Sequence, residues 1–170
     1  QDPMHPDTGT SLNNLARLLK DKGDYEAAEP LFRRALVIAE NVFGTDSPNL
    51  SGYFYNLGNI LREQKKFDEA EYWLLKEISY LEKSENINLL SLAASHHNLG
   101  VMLREAGQLD RAEENLIRAL STYQKIKGQD SLDSTATLSA LGQLKVIQGK
   151  FDEAEKYFHV CLKIRELELK

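Results

Sequence analysis

A period of 42 residues constrains this 170-residue chain more than any other feature. FDEAE occurs at 67–71 and again at 151–155, and weaker copies, YEAAE and LDRAE, begin at residues 25 and 109. Leucine recurs with the same spacing and is followed each time by a small residue, in the pairs Leu15-Ala16, Leu57-Gly58, Leu99-Gly100 and Leu141-Gly142. Four copies that keep one register identify a tandem repeat.

Within each copy, apolar residues fall at the i, i+3, i+4 and i+7 positions of a helical face, with no alternation at period two. Leu12, Leu15 and Leu19 give this pattern in the first half of the first copy, and Phe32, Leu36 and Ala39 give it in the second half. Each copy is therefore predicted to be a pair of helices. The predicted helices lie near 8–22, 24–42, 48–64, 66–84, 88–106, 108–126, 132–148 and 150–168.

Two sets of residues mark the predicted helix ends. A glycine, which adopts the left-handed cap conformation without steric cost, falls where each first helix must stop, but Lys65 holds this place in the second copy. The glycines are Gly23, Gly107 and Gly149. The second helices are predicted to end in the same conformation at Gly44, Asn86 and Gly128. Ser47 and Ser131 are predicted to cap the next first helices, with Pro48 in the first helical turn.

Small residues at fixed positions predict where the two helices of a pair cross closely, because a large side chain there would push the helices apart. They are Ala16, Gly58, Gly100 and Gly142 on the first helices, and Ala28, Ala70, Ala112 and Ala154 on the second. One pair cannot bury its apolar surface on both sides, so the pairs are expected to stack into an all-α solenoid.

The motifs resemble tetratricopeptide repeats. Phe54-x2-Leu57-Gly58-x2-Leu61 and Ala70-x3-Leu74 follow that family's pattern. The 42-residue unit, with HPDTGTSLNNLA at 5–16 and YEAAEPLFRRAL at 25–36, looks like the subtype found in kinesin light chains. The resemblance implies a right-handed superhelical solenoid of four helix-turn-helix repeats, eight helices in all, that binds a protein or peptide in a concave groove lined by first helices.

The domain organisation expected from this pattern is a single repeat array over 5–170, preceded by a cloning remnant at 1–4. The repeats are predicted at about 5–46, 47–88, 89–130 and 131–170. Solenoids normally carry polar capping helices at their ends, which this pattern does not show. The chain is therefore interpreted as a fragment of a longer array, or as one whose exposed end helices pair in a homodimer.

The resemblance also implies which residues face the groove. The peptide-binding candidates are Asn13, Asn14, Arg17 and Lys20 in the first repeat, Tyr55, Asn56, Asn59 and Arg62 in the second, and His97, Asn98 and Arg104 in the third. Asn14, Asn56 and Asn98 would offer donors and acceptors to a peptide main chain, whereas Lys20, Arg62 and Arg104 would form a cationic row that meets acidic groups.

A purely structural role for the same residues stays open. The asparagines would then bond to neighbouring repeats, and each cation would be neutralised by an acid, Asp21, Glu63 or Glu105. Because adjacent helical residues do not face each other, those acids are expected to act between repeats.

Charge and composition exclude several classes of partner. A formal net charge of −5 argues against nucleic acid and against an anionic membrane surface. No apolar run approaches the length of a membrane span. The single cysteine, Cys161, favours a reducing compartment, and a cytoplasmic location is expected.

No motif points to catalysis, a metal or a cofactor. His96 falls on a large core position, and neither it nor His97 has a second ligand at helical spacing. Cys161 falls on a small core position and is interpreted as an inert thiol. The FDEAE acids are expected to favour the positive N-terminal ends of second helices rather than to form an acid–base pair. Trp73 and Tyr157 share one second-helix position, where ordinary packing is preferred to an outer aromatic patch.

Two departures from the repeat pattern make local packing less secure. Glu77 replaces a small core residue in the second repeat, and Lys145 replaces a large apolar residue in the fourth. The sequence as a whole predicts a protein-interaction scaffold, not an enzyme, that binds an extended, acidic peptide. Two alternatives remain: a self-assembling segment that associates through its groove or its C-terminal helix, and an enzyme whose chemistry lies in flanking domains.

Overall fold

The computed structural model of the chain describes residues 4–84, 87–129 and 131–168. Within that part the chain forms eight α-helices, two short 3₁₀ turns and no strand, which confirms the all-α fold class. The helices are α1 (Pro6–Asp21), α2 (Tyr25–Phe43), α3 (Ser51–Glu63), α4 (Phe67–Lys83), α5 (Leu89–Glu105), α6 (Leu109–Lys127), α7 (Thr135–Ile147) and α8 (Phe151–Glu168). The 3₁₀ turns are Pro48–Leu50 and Leu132–Ser134.

The helices form two compact units, one up to Ile87 and one from Asn88. The first unit holds α1 to α4 and the second holds α5 to α8, so that each contains two of the predicted repeats. Within a unit, consecutive helices of a repeat pack against each other across a three-residue turn. The two repeats of a unit meet through α2 and α3 in the first unit, and through α6 and α7 in the second.

The small residues lie at the close helix crossings, as predicted. Ala16 and Ala28 are fully buried where α1 meets α2. A Cβ atom placed on Gly58 would lie 2.6 Å from Cγ of Leu74. On Gly100 it would lie 2.7 Å from Cγ of Leu116. These distances are shorter than any ordinary carbon–carbon contact, so only glycine lets the two helices approach this closely.

The residues that end the first helices adopt the predicted left-handed conformation. Gly107 has a φ of 79°, and Lys65, the one residue without a glycine's freedom, has a φ of 59°. The backbone amides of Lys65 and Lys66 donate to carbonyl oxygens of the last helical turn. The shared turn geometry therefore holds even where the sequence departs from glycine.

Two predictions about the other helix ends were wrong in detail. Gly44 and Gly128 have positive φ but ψ of 154° and 168°, an extended region that only glycine tolerates, rather than the left-handed helical cap. Asn86, assigned the same role, lies outside the described residues. Ser47 and Ser131 accept amide hydrogen bonds as expected, but each caps a 3₁₀ turn, and α3 and α7 begin three residues later than predicted.

Candidate functional site

The first-helix residues of the first unit bond to each other across the repeats. Nδ2 of Asn56 on α3 donates to Oδ1 of Asn13 on α1 at 2.9 Å, and both side chains are half-buried. For this pair, the predicted alternative role, a bond between neighbouring repeats, is therefore observed. Asn14, by contrast, is exposed, and no hydrogen bond of its side chain is found within the described part of the chain.

Tyr55, Asn59 and Arg17 complete this surface. Nδ2 of Asn59 donates to the carbonyl oxygen of Tyr55 at 2.8 Å, which is a bond within one turn of α3. The Tyr55 side chain is exposed, and Arg17 is exposed on α1. Among the described residues Arg17 forms no ion pair, so its guanidinium presents its donors to solvent.

The cations at the ends of the first helices pair with the acids that follow them. Nζ of Lys20 lies 3.9 Å from Oδ1 of Asp21, and Nη2 of Arg62 bonds to Oε1 of Glu63. The expectation that such acids act only between repeats was wrong. At the last turn of a helix the side chains extend past the helix end, so two adjacent residues can meet there.

In the second unit the corresponding first-helix residues also bond to the next repeat. Nδ1 of His97 lies 3.0 Å from Oγ1 of Thr137, and Nη1 of Arg104 donates to Oε1 of Gln143 at 2.5 Å. Asn98 is half-buried on α5. Both units thus tie one first helix to the next through polar side chains that the sequence assigns to a groove.

The repeats of the first unit are also joined by an ion-pair network that the sequence analysis missed. Glu29 on α2 lies 2.8 Å from both Nη2 of Arg33 and Nζ of Lys66. Arg33 in turn reaches Oε2 of Glu69 at 2.7 Å. Burial alone would raise the pKa of the Glu29 carboxyl, but its bonds to Lys66 and Arg33 outweigh this and the pKa is lowered.

A second network occupies the equivalent place in the second unit. Nζ of Lys145, only 3% exposed, lies 2.7 Å from Oε1 of Glu113 and 3.0 Å from Oε2 of Glu153. Nε2 of Gln148 donates to the other oxygen of Glu113 at 3.1 Å. Burial would lower the pKa of the Lys145 ammonium, but the bonds to the two glutamates outweigh it and the pKa is raised.

The repeated FDEAE acids therefore do more than favour helix N-termini. Glu69 and Glu153 are the same residue of the two copies, and each holds a cation, Arg33 or Lys145. The sequence did contain a signal for the second network, because Lys145 stands at a position that leucine fills in the other three repeats. A buried lysine requires acidic partners, and the nearest recurring acids are these glutamates.

Three residues at predicted core positions are buried, whereas Leu15, on the predicted apolar face of α1, is 47% exposed. His96 is buried and its Nδ1 lies 3.0 Å from Oδ1 of Asn115, and Cys161 is buried with Sγ 3.5 Å from the carbonyl oxygen of Thr135. Glu77 is also buried on α4. Within the described ranges, no group of three or more His, Cys, Asp and Glu residues is arranged to hold a metal ion. None of the described helices is long and apolar enough to span a membrane.

Comparisons with known proteins give one family. The model of a family described as "Tetratricopeptide repeat" matches residues 7–83 and 91–166. No curated protein matches the sequence.

Several solved structures share the fold. BtubC (BKLC) from P. vanneervenii is 25% identical, with 91% of this chain and 61% of that chain covered and a TM-score of 0.78. This chain thus spans about three fifths of that structure's length. A putative kinesin light chain from Podosopora anserina, with nearly identical TPR-like repeats, is 20% identical over 97% of this chain and 78% of that one, with a TM-score of 0.80. MamA is 20% identical over 99% of this chain and 82% of that one, with a TM-score of 0.71.

Proposed function

We propose, from the premise that this chain belongs to the tetratricopeptide repeat family, that it is a protein-interaction module which binds an extended, acidic peptide along its first helices. The observation that carries the proposal is the exposed polar surface of α1 and α3. Asn14, Arg17 and Tyr55 project from it, although the underlying Asn13–Asn56 bond already holds the two helices together. A polar face that is not needed for packing is available to a ligand. A cytoplasmic location forms part of this proposal.

Main-chain recognition is assigned to the asparagines. The exposed amide of Asn14 offers a donor and an acceptor, as a peptide main chain requires. Asn56 gives one N–H to Asn13, but an amide nitrogen carries two, and its carbonyl oxygen remains an acceptor. Contacts of this kind depend little on peptide sequence.

The preference for acidic peptides is assigned to the cations. Arg17 is exposed, and its planar guanidinium binds a carboxylate through two parallel hydrogen bonds. Arg62 is half-buried and bonded to Glu63, so it is better suited to orient a ligand than to supply a new charge. Arg17 is therefore expected to contribute most of the charge preference in the first unit.

A peptide library tests this assignment. We expect the parent chain to enrich acidic, extended peptides, and Arg17→Ala to reduce their affinity at least about tenfold, in line with loss of a charge-assisted contact. Asn14→Ala should lower the affinity for acidic and neutral peptides alike, because it removes a contact to the peptide main chain. Affinities would be measured by isothermal titration calorimetry.

Arg34→Ala is the matched control, since Arg34 is equally exposed but lies on the second helix α2. It should leave the affinity unchanged. Enrichment that survives Arg17→Ala and Asn14→Ala, or that is lost with Arg34→Ala, would place the binding surface elsewhere.

Self-association is a second candidate function, and one surface favours it. Phe158 and Leu162 on α8 are 40% and 53% exposed. Phe32 and Leu36, the same residues of the first repeat, are 2% and 4% exposed on α2, the helix that packs against α3. The apolar face that elsewhere receives a first helix is thus open on α8. Because Leu15 on α1 is also exposed, α1 of a second copy offers a suitable partner. Leu169, the last leucine of the sequence, lies outside the described residues.

Mass measurement on dilution decides between association and a monomer. If α8 receives α1 of another copy, the mean mass should rise between about 1 and 500 μM, and Phe158→Glu or Leu15→Glu should each abolish the rise, because either introduces a charge into the apolar contact. Val37→Glu is the control, since Val37 is an exposed apolar residue of α2. A constant monomer mass would contradict this function without affecting the peptide proposal.

A further inference from the structure

An open cleft of about 540 Å³ lies in the second unit, between α6, α7 and α8. Its apolar wall consists of Leu120, Leu138, Tyr157 and Val160. Polar residues, among them Gln124 and Lys156, stand around it. Beneath it, Leu138 packs in a buried cluster with Cys161 and Ile164, against which Leu120 and Tyr157 are packed. None of the residues around the cleft is among those predicted to bind a peptide, so this surface is separate from the one proposed above.

The repeat supplies a direct comparison, because the same positions occur 84 residues earlier in the first unit. There the ring of Phe54 stacks on the indole of Trp73, with centroids 5.6 Å apart and planes 22° apart. Tyr80 meets Phe54 edge-on at 5.0 Å. Nζ of Lys76 lies 4.6 Å from the centre of the Phe54 ring and 5.2 Å from that of Trp73. The chain's own side chains therefore fill this place in the first unit.

All four of these residues have smaller counterparts in the second unit. The replacements are Leu138 for Phe54, Tyr157 for Trp73, Val160 for Lys76 and Ile164 for Tyr80. The helices keep the same arrangement, since the close crossings at Gly58 and Gly142 are both preserved. Leu138 and Ile164 are buried beneath the cleft, whereas Val160, which replaces Lys76, is 40% exposed and leaves the cleft open beside Tyr157.

We propose that this cleft binds an aromatic side chain from a protein partner. The ring would stack on Tyr157, as the ring of Phe54 stacks on Trp73, and would cover Val160, which is 40% exposed and stands in place of Lys76. Aromatic pairs in this geometry are favoured over aliphatic contact of equal area, so the cleft discriminates in favour of a ring. The amide of Gln124 can bond to the main chain on either side of that ring.

Methyl NMR with simple amides tests the proposal. The probes are N-acetyl-phenylalaninamide and N-acetyl-tryptophanamide, with N-acetyl-leucinamide as the aliphatic control. The aromatic amides should shift the methyl signals of Leu120, Leu138 and Val160 in a saturable way. The dissociation constants from these titrations should be at least about fivefold lower than that of the leucine amide, because only the aromatic amides can stack on Tyr157. Equal binding of all three amides, or no saturable shift at these methyls, would overturn the proposal.

A variant that refills the cleft gives the decisive comparison. Leu138→Phe gives the second unit the counterpart of Phe54. It should lower the affinity for the aromatic amides at least about tenfold. Val146→Phe, which adds the same ring at an exposed position of α7 outside the cleft, should leave binding unchanged. If Leu138→Phe fails to fold, Val160→Lys serves instead, because Val160 is 40% exposed and the change restores the equivalent of Lys76. Undiminished binding by a folded cleft variant would refute the assignment.

Discussion

Lys65 occupies a backbone conformation that its repeat counterparts reach with glycine. Its φ of 59° places Cβ close to the following carbonyl oxygen, which costs an L-residue roughly 1–2 kcal/mol. Lys65→Gly should therefore raise the free energy of unfolding by about 1 kcal/mol, less than the full cost because glycine is more flexible when unfolded. Urea denaturation followed by circular dichroism would measure the change.

Gly107→Lys is the matched reverse substitution at the same place in the next repeat, where φ is 79°. It should lower the free energy of unfolding by about 1 kcal/mol. Neither substitution changes the packed core, because residues 65 and 107 are both exposed. A destabilising Lys65→Gly would show that the lysine side chain contributes more than its backbone conformation costs.

At the scale of helices, the contact between α6 and α7 depends on the ion pairs of Lys145. The bond from Lys145 holds the pKa of the Glu113 carboxyl below its ordinary value of 4.5, against the opposing effect of burial and with help from Gln148. A carboxyl with a lowered pKa stabilises the fold above the ordinary value and loses that contribution as pH falls through its folded-state pKa. The stability of the second unit should thus decline below about pH 4.5, as measured by urea denaturation across pH 3–7.

Glu113→Gln should remove this part of the acid dependence. It should also destabilise the chain at pH 7 by about 2 kcal/mol, because Lys145 would keep only Glu153 as an anionic partner. Combining it with Lys145→Leu restores the apolar residue of the other repeats and should recover the lost stability. An acid dependence that persists in Glu113→Gln would assign it to other carboxyls.

For the whole molecule, we expect the affinity for an acidic peptide to depend more on where the charges lie than on the net charge. The chain carries −5 overall, yet Arg17, Lys20 and Arg62 stand on the first helices of the first unit. We expect the affinity for an acidic peptide to fall about tenfold between 50 and 500 mM salt, since screening shortens the range of exposed charges. A neutral peptide of equal length should be almost unaffected. Fluorescence anisotropy at both salt concentrations makes this comparison, and equal salt responses would exclude a role for the cations.

The candidate site was less predictable than the helices. Register alone placed Asn13, Asn56 and His97 on the first helices, but gave no means to decide whether they meet a ligand or each other. Asn56 proved to bond to Asn13, and His97 to Thr137. Such pairs depend on the distance between helices that are about 40 residues apart in the chain. Peptide binding by these residues remains a prediction.

The sequence by itself determined the number, type and pairing of the helices, because the 42-residue register repeats both the apolar faces and the residues that end them. It also determined where helices cross closely, since only small residues such as Gly58 and Gly100 allow that contact. Only the tertiary structure decided which polar groups are paired, and that Lys145 is buried between Glu113 and Glu153. It alone also decided that a cleft stays open beside Tyr157 and Val160, where Trp73 and Lys76 pack on Phe54 in the first unit. Periodicity records which face a residue lies on, whereas a hydrogen bond or a cavity depends on distances of a few ångströms between side chains of different repeats.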